Sequence, residues 1–281
     1  MTSPLVDQQA TGYSLRQALR MVRAAALAYQ DEKTIETTAR EWGFDRVRHL
    51  HTAFCPPFPI EEVRAYTLGG RHALVTAFRG AEPAGLRDWL AVAATPPWPG
   101  PGGRGYVHHG FAEALESVWP QILTAVKELR DAGQAVYFTG HGLGGALAML
   151  AGARLHFEDP RLTADGVYTF GQPRTCDPVL AGEFNAAFAN RMYRFVNHHD
   201  LLPQLPAEPA FRHVSALRYI DPRGAVHNTM PLLGGALDRG RGLPPELLAP
   251  TADGIRAHAL TAYVTALENA AREQDGEPQV P

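Results

Sequence analysis

The sequence has few cysteines and no excess of charge of either sign. Its 281 residues include only two cysteines, Cys55 and Cys176, which excludes a disulfide framework and a four-cysteine metal site. A single bridge between these two thiols stays open at this point. The formal net charge is −3 at pH 7, so there is no basic surplus for binding nucleic acid or an anionic membrane.

The chain also lacks a leader-like segment and an uninterrupted apolar span. Its first residues have no basic segment followed by an apolar run, so we expect a cytoplasmic protein, or a secreted one whose leader was removed. The only long stretch without charged side chains is 132–153, and glycines interrupt it. We expect no stable membrane insertion, and at most transient contact with a lipid surface.

Short apolar runs alternate with helical patterns along the chain. Strands are predicted at 73–78, 135–139, 166–170, 192–196 and 213–220, and helices at 15–30, 110–131, 143–157, 179–190 and 256–270. This alternation predicts an α/β protein with a mainly parallel sheet covered by helices on both faces. We place one domain at 1–272, followed by a frayed polar tail at 273–281.

A glycine-rich turn joins the strand at 135–139 to the helix that follows it. Residues 140–144 read Gly-His-Gly-Leu-Gly, the frame of a nucleophile elbow, Gly-x-Ser-x-Gly, with Gly142 at the serine position. Small residues two before and two after the centre let strand and helix approach closely. Glycine adopts the strained central conformation more easily than serine, so we expect the turn to form without a nucleophile.

The surrounding residues are similar to those of the class 3 lipase family of α/β hydrolases. In that family the elbow typically reads Gly-His-Ser-Leu-Gly-Gly-Ala-Leu-Ala, and residues 140–148 differ from it only at the serine. Further matching motifs begin at Ala77, Asp88, Val107, Tyr168, Asn197, Phe211 and Asp253, in the family's order. The resemblance implies an α/β-hydrolase fold and a carboxylic ester hydrolase.

The resemblance also implies the role of each site residue. Asp200 would be the acid and His258 the base of a Ser-His-Asp triad whose nucleophile position is Gly142. The base takes a proton from the nucleophile and gives it to the departing alcohol, while the acid holds the imidazole tautomer. The backbone N–H groups of Ala81 and Leu143 would form the oxyanion hole. Ala81 stands where the family usually has Thr or Ser, so only the main-chain donor is kept there.

Two segments hold much of the glycine and proline. They are 83–105, which follows the oxyanion loop where the family carries its lid, and 222–250, which lies between the triad acid and base. We expect both to rim the substrate entrance as irregular loops. Within them, Trp98, Leu232 and Leu233 are our candidates for the acyl pocket or lid.

The twelve histidines do not indicate a metal site. The pairs at 108–109 and 198–199 are adjacent rather than spaced to converge, and no carboxylate or cysteine cluster accompanies them. We interpret His141, inside the elbow, as a packing residue. The implied acyl chemistry requires no metal or organic cofactor, and the implied partner is a small acyl ester or lipid, with no nucleic acid.

The missing serine leaves three functions open. In the first, the chain is an engineered, inactive variant of a lipase or esterase, with Gly142 in place of serine. In the second, it is a natural lipase-like protein that binds a ligand without catalysis. In the third, His258 and Asp200 activate a water in the space of the absent hydroxyl. A non-hydrolytic acyltransferase would have the same residues. Retention of acid, base and elbow glycines favours the first hypothesis, and Ala81 favours the second.

Overall fold

A computed structural model describes residues 13–53, 62–80, 97–131, 133–206, 208–230 and 252–276. Its α-helices are α1 (Leu15–Leu27), α2 (Glu32–Glu41), α3 (His109–Leu129), α4 (Leu143–Glu158), α5 (Pro178–Ala187), α6 (Ala252–His258) and α7 (Leu260–Gln274). Its strands are β1 (Phe44–Ala53), β2 (Glu62–Gly70), β3 (Ala73–Phe78), β4 (Pro97–Pro99), β5 (Tyr106–His108), β6 (Ala135–His141), β7 (Gly166–Phe170), β8 (Met192–Asn197), β9 (Leu217–Ile220) and β10 (Val226–His227).

Eight of these strands form one sheet, in the order β1-β2-β3-β6-β7-β8-β9-β10. The five strands from β3 to β9 are parallel, while β1, β2 and β10 pair antiparallel at the two ends. Parallel strands are buried on both faces, and every residue of β3 and β7 is buried. The predicted α/β-hydrolase architecture with a mainly parallel sheet is confirmed, with antiparallel ends that we did not predict.

Helices cover both faces of the sheet and enclose two apolar clusters. One cluster joins the sheet to α3 and α4 through residues such as Phe111, Ile122 and Leu147. The other joins the opposite face to α1 and α7 through residues such as Met21 and Leu267. The carboxyl ends of the parallel strands emerge between these layers, where open α/β sheets bind their ligands.

The turn from β6 into α4 is packed backbone against backbone. A Cβ placed on Gly140 would overlap the carbonyl oxygen of Gly144, and one on Gly144 would overlap the carbonyl oxygen of Phe78. No side chain fits at either position, because each obstacle is main chain rather than a flexible side chain. The two glycines therefore let the elbow form at the centre of the sheet.

Several boundaries differ from the prediction. The helix expected at 256–270 is two helices, α6 and α7, because Ala259 between them has an extended backbone (φ −57°, ψ 131°). The strand expected at 213–220 is limited to β9, which begins after Ala216 at a positive φ of 65°. Helix α7 continues to Gln274, two residues into the segment assigned to the tail.

The charge-free stretch at 132–153 is divided between β6, the elbow and the first part of α4. Among the residues that the structure describes, no helix has both the length and the apolar character needed to cross a bilayer. The interruption by glycines explains why this segment folds back on itself.

Replacing Gly140 with alanine should unfold the elbow, since neither neighbouring carbonyl can move without breaking β6 or α4. We expect Gly140→Ala to lose more than about 3 kcal/mol of unfolding free energy in urea titrations. The control is Gly182→Ala in α5, where an added Cβ meets nothing within 4 Å. Alanine should stabilise that helix by about 0.5–1 kcal/mol. Equal stabilities for the two variants would contradict the backbone contact.

Candidate functional site

The centre of the elbow is Gly142, in a conformation that L-residues rarely adopt (φ 55°, ψ −120°). Its N–H donates to the carbonyl of Phe170 at the end of β7 (2.9 Å), and its own carbonyl accepts from the N–H of Gly145 (3.0 Å). Leu143 is the first residue of α4, where N–H groups have no acceptor within the helix. The backbone N–H of Leu143 is therefore suited to hold an anion.

Asp200 and His258 meet directly beside this turn. The Nδ1 of His258 lies 2.9 Å and 3.0 Å from the two carboxylate oxygens of Asp200, so its N–H donates to them. Asp200 is 1% exposed, and His258 is the last residue of α6. With its proton on Nδ1, the neutral imidazole keeps Nε2 as a free base. A buried carboxylate thus selects the tautomer that a general base needs.

Two further donors hold Asp200 in place. The hydroxyl of Tyr263 in α7 donates to Oδ2 (2.5 Å), and the backbone N–H of Leu202 donates to Oδ1 (3.0 Å). Burial raises the pKa of Tyr263 well above its ordinary value, so this hydroxyl stays a donor. It also accepts from the N–H of Asn197 (3.0 Å). No sequence motif indicated Tyr263, which follows His258 by five positions across the helix break.

The space at Gly142 faces the ring of His258. A Cβ built on Gly142 would lie 3.1 Å from Nε2 of His258 and 3.5 Å from Cδ2 of Leu202. The first distance is shorter than most real Cβ contacts, so the imidazole would have to shift by a few tenths of an ångström to admit a side chain. A side chain at position 142 would therefore reach His258 and Leu202 first.

Gly171, at the end of β7, lies against the other edge of the Asp-His pair. It has a positive φ of 61°, and an added Cβ would lie 2.7 Å from Oδ2 of Asp200 and 2.8 Å from Cε1 of His258. The pair is thus enclosed by main chain on this side. A glycine is required here for its conformation and for the space it leaves.

His141 is a buried packing residue, as predicted, and also a hydrogen-bonding one. Its ring stacks on that of His258, with centroids 4.4 Å apart, and its Nε2 donates to the His258 carbonyl (2.7 Å). Burial, with a smaller effect from nearby His258, lowers the pKa of His141 from 6.5 to about 3. The imidazole is therefore neutral at physiological pH.

The predicted pocket and oxyanion residues are only partly described. Ala81, Leu232 and Leu233 lie outside the described residues. Trp98 is 42% exposed, stacks on His109 with centroids 4.7 Å apart, and lines a groove of about 180 Å³ beside Leu150 and Glu158. At 1.5 Å per residue, this part of α4 is about 12–24 Å along the helix from Gly142. Trp98 therefore lies apart from the Asp-His pair in this structure, and its role in a lid stays a prediction.

The remaining histidines and the described cysteine do not form a second site. Within the described segments, no group of three or more His, Cys, Asp or Glu side chains is placed to hold a metal ion. His108 is buried against the rings of Phe111 and Phe211. Cys176 is a free, buried thiol whose pKa is raised by burial, while Cys55 lies outside the described residues. Cys176 is therefore a structural residue.

Known proteins with similar sequences include lipases, and the similarity covers the elbow. A sequence model of the family described as "Lipase (class 3)" matches residues 75–210, which include β3, the elbow and Asp200. Over these residues, just under half of its length, the chain is similar to the class 3, fungal lipase-like family. The match ends before His258, so the place of His258 in this class 3 lipase-like chain is seen only in its contact with Asp200.

Two relatives illustrate the extent of the sequence similarity. The "secreted mono- and diacylglycerol lipase LIP4" of Malassezia restricta is 32% identical over 123 residues, which cover 42% of this chain and 39% of the relative. A protein named "Lipase" from Rhizomucor miehei is 32% identical over 134 residues, covering 46% and 36%. This class 3 lipase-like chain therefore matches less than half the length of these relatives.

Solved structures of fungal lipases share the fold over a larger part of the chain. A mutant form of MDLA from Penicillium cyclopium superposes with a TM-score of 0.66 and 21% identity, covering 87% of this chain and 94% of that one. A mono- and diacylglycerol lipase from Aspergillus oryzae gives a TM-score of 0.59 and 23% identity, covering 78% and 81%. The fold shared with these structures thus extends over more of the chain than residues 75–210.

Substituting Gly171 should separate Asp200 from His258, because alanine would place a methyl group inside contact distance of both. We expect Gly171→Ala to lose at least about 2 kcal/mol of unfolding free energy, and its His258 Nδ1–H signal to change in NMR spectra. Gly133→Ala is a matched control, because Gly133 also has a positive φ but an added Cβ meets nothing within 4 Å. If both variants lose the same stability, backbone strain alone accounts for the effect.

Acidification should destabilise the protein through His141. In the unfolded chain this histidine takes up a proton near pH 6.5, whereas in the folded protein it resists protonation down to about pH 3. Stability that is complete above pH 6.5 is therefore lost as the pH falls, by about 2 kcal/mol at pH 5. The pH 7 to pH 5 difference in unfolding free energy should be about that much smaller in His141→Gln. An unchanged difference would show that His141 is protonated in the folded state.

Proposed function

We propose that this chain has the active site of a carboxylic ester hydrolase acting on acyl esters, in which glycine replaces the nucleophilic serine at position 142. The observation that carries the proposal is the Asp200-His258 pair, whose free Nε2 faces the Cβ position of Gly142 at 3.1 Å. A serine hydroxyl at this position would be within reach of that base. The chain as it stands has no side chain there to form an acyl-enzyme.

With serine at position 142, each remaining group has a role in acyl transfer. The hydroxyl oxygen attacks the ester carbonyl while Nε2 of His258 takes its proton, and Asp200 stabilises the imidazolium. The backbone N–H groups of Leu143 and Ala81 hold the developing oxyanion. The protonated base then gives its proton to the departing alcohol, and a water activated by the same base hydrolyses the acyl-enzyme.

The names of the relatives favour a glycerol ester as substrate. Those compared above are named mono- and diacylglycerol lipase or lipase, and one is named as secreted. We therefore propose acylglycerols as the substrate class and transient contact with a lipid surface. The relatives' names also favour secretion over the cytoplasmic location expected from the first residues.

The nature of Gly142 is a second part of the proposal. We propose that it replaces a natural serine, because the acid, the base and both elbow glycines are retained around it. The coding sequence of the source organism tests this directly. A serine codon is expected at position 142, and a glycine codon would contradict the replacement.

A natural binding protein without catalysis is the second candidate, and one contact favours it. The imidazole of His258 is a few tenths of an ångström too close to admit a Cβ at position 142. The ring thus fits glycine better than serine. In this hypothesis the site holds an acyl ligand and does not turn it over, whereas a water activated by His258 would give slow hydrolysis.

Restoring the hydroxyl should create activity. We expect Gly142→Ser to hydrolyse p-nitrophenyl butyrate, p-nitrophenyl octanoate or tributyrin at neutral pH at least about a thousandfold faster than the present chain, since loss of a triad nucleophile costs that much or more. A fluorophosphonate should label only the serine variant, with the mass of one adduct.

Two controls separate chemistry from packing. Gly142→Ala adds the Cβ without the hydroxyl and should stay at the level of the present chain, while Gly142→Ser combined with His258→Ala should lose the restored activity. If the single serine variant is no faster than the double variant and takes no label, the hydrolase proposal is wrong. Transfer of the acyl group to an added alcohol in place of water would instead identify an acyltransferase.

A further inference from the structure

A line of hydrogen bonds joins four segments around the elbow. The backbone N–H of Gly80 donates to the hydroxyl of Tyr29 (3.1 Å), which lies 3.0 Å from Nδ1 of His141. The Nε2 of His141 lies 2.7 Å from the carbonyl oxygen of His258. The line therefore runs from Gly80, two residues after β3, through Tyr29, two residues after α1, and His141 at the end of β6, to the backbone of His258.

The direction of each bond follows from its acceptor. A carbonyl oxygen can only accept, so the hydrogen on His141 must be on Nε2. Because the pKa of His141 is lowered to about 3, the ring is neutral and Nδ1 has no hydrogen. The hydroxyl of Tyr29 therefore donates to Nδ1, and its oxygen accepts from Gly80. Only this arrangement satisfies all three bonds.

The two ends of the line lie at functionally important positions. Gly80 immediately precedes Ala81, the proposed donor from the oxyanion loop, and a Cβ on Gly80 would overlap the Tyr29 hydroxyl and the His141 carbonyl. At the other end, His141 stacks on the ring of His258 and donates to its backbone. The middle of the line is covalently attached to Gly142. The side chains of Tyr29 and His141 thus connect the proposed base, the elbow and the start of the oxyanion loop at Gly80.

We propose that Tyr29 and His141 are a positioning pair, which holds the Gly80 end of the oxyanion loop and the backbone of His258 at fixed distances from the elbow. Neither residue touches the reacting atoms. Their effect on catalysis rests on the proposed function, because it acts through the oxyanion donor and the base. The hydrogen-bond line itself exists in the chain with Gly142 and can be tested there.

The first test uses NMR on the present chain, with ¹⁵N-labelled histidine. We expect His141 to have a hydrogen on Nε2 only, with no titration between pH 5 and pH 8. In Tyr29→Phe the Nδ1 resonance should shift, because it loses its donor, and the amide of Gly80 should exchange faster with solvent. Titration of His141 in this range, or a hydrogen on Nδ1, would overturn the proposal whether or not the protein is a hydrolase.

The second test measures catalysis in the Gly142→Ser background. We expect Tyr29→Phe to lower kcat about ten- to a hundredfold with KM nearly unchanged, since small displacements of catalytic groups have effects of this size. The pH profile should keep its position, because the Asp200-His258 contact does not involve Tyr29. Kinetics are measured well below the unfolding temperature of each variant.

Tyr66→Phe is the matched control. The Tyr66 hydroxyl is also buried and donates to one backbone carbonyl, that of Ala24 (2.6 Å), away from the site. It should lose comparable stability with kcat within about twofold of the parent. If kcat falls equally in the two variants, or does not fall in Tyr29→Phe, Tyr29 has only a structural role and the proposal is wrong. If the serine variant is itself inactive, the proposed function fails and the NMR result alone decides the positioning pair.

Discussion

The architecture of the site depends on the contact between main chains at the elbow. Gly140, Gly144 and the carbonyl of Phe78 pack so closely that no side chain fits, and this brings the start of α4 into the centre of the parallel sheet. That contact fixes the positions of three groups: the N–H of Leu143, residue 142 and the end of β7. Asp200 then reaches the same point from the loop after β8, and His258 from the last turn of α6, so the site is built on the rigid part of the fold.

The parts of the fold that could be predicted are those with a local cause. Strands β3 and β7 have the predicted limits, because strands buried on both faces are mostly apolar along their whole length. The elbow could be recognised because its turn requires small residues at fixed positions, two before and two after the central residue. The edge strand β1 was missed, since its many charged and histidine side chains are exposed and show no apolar run.

Features that depend on distant contacts could not be predicted. Tyr263 reaches Asp200 only because Ala259 interrupts the helical pattern, and nothing in the local residues indicates a break there. The contact of Tyr29 with His141 joins residues that are 112 positions apart. The place of His141 in the elbow predicts a packing residue, but its hydrogen-bond partners are Tyr29, in the turn after α1, and His258, at the end of α6. Such bonds follow from the assembled fold.

Hydrogen bonds from other residues also explain how the site keeps its shape with no side chain at position 142. Asp200 is held by Tyr263, Leu202 and His258, and the His258 backbone by His141. None of these bonds uses a side chain at position 142, whose own polar contacts are main chain. In the proposed hydrolase, reactivity and architecture are therefore separable: the hydroxyl that would react belongs to one side chain, while other residues hold the scaffold.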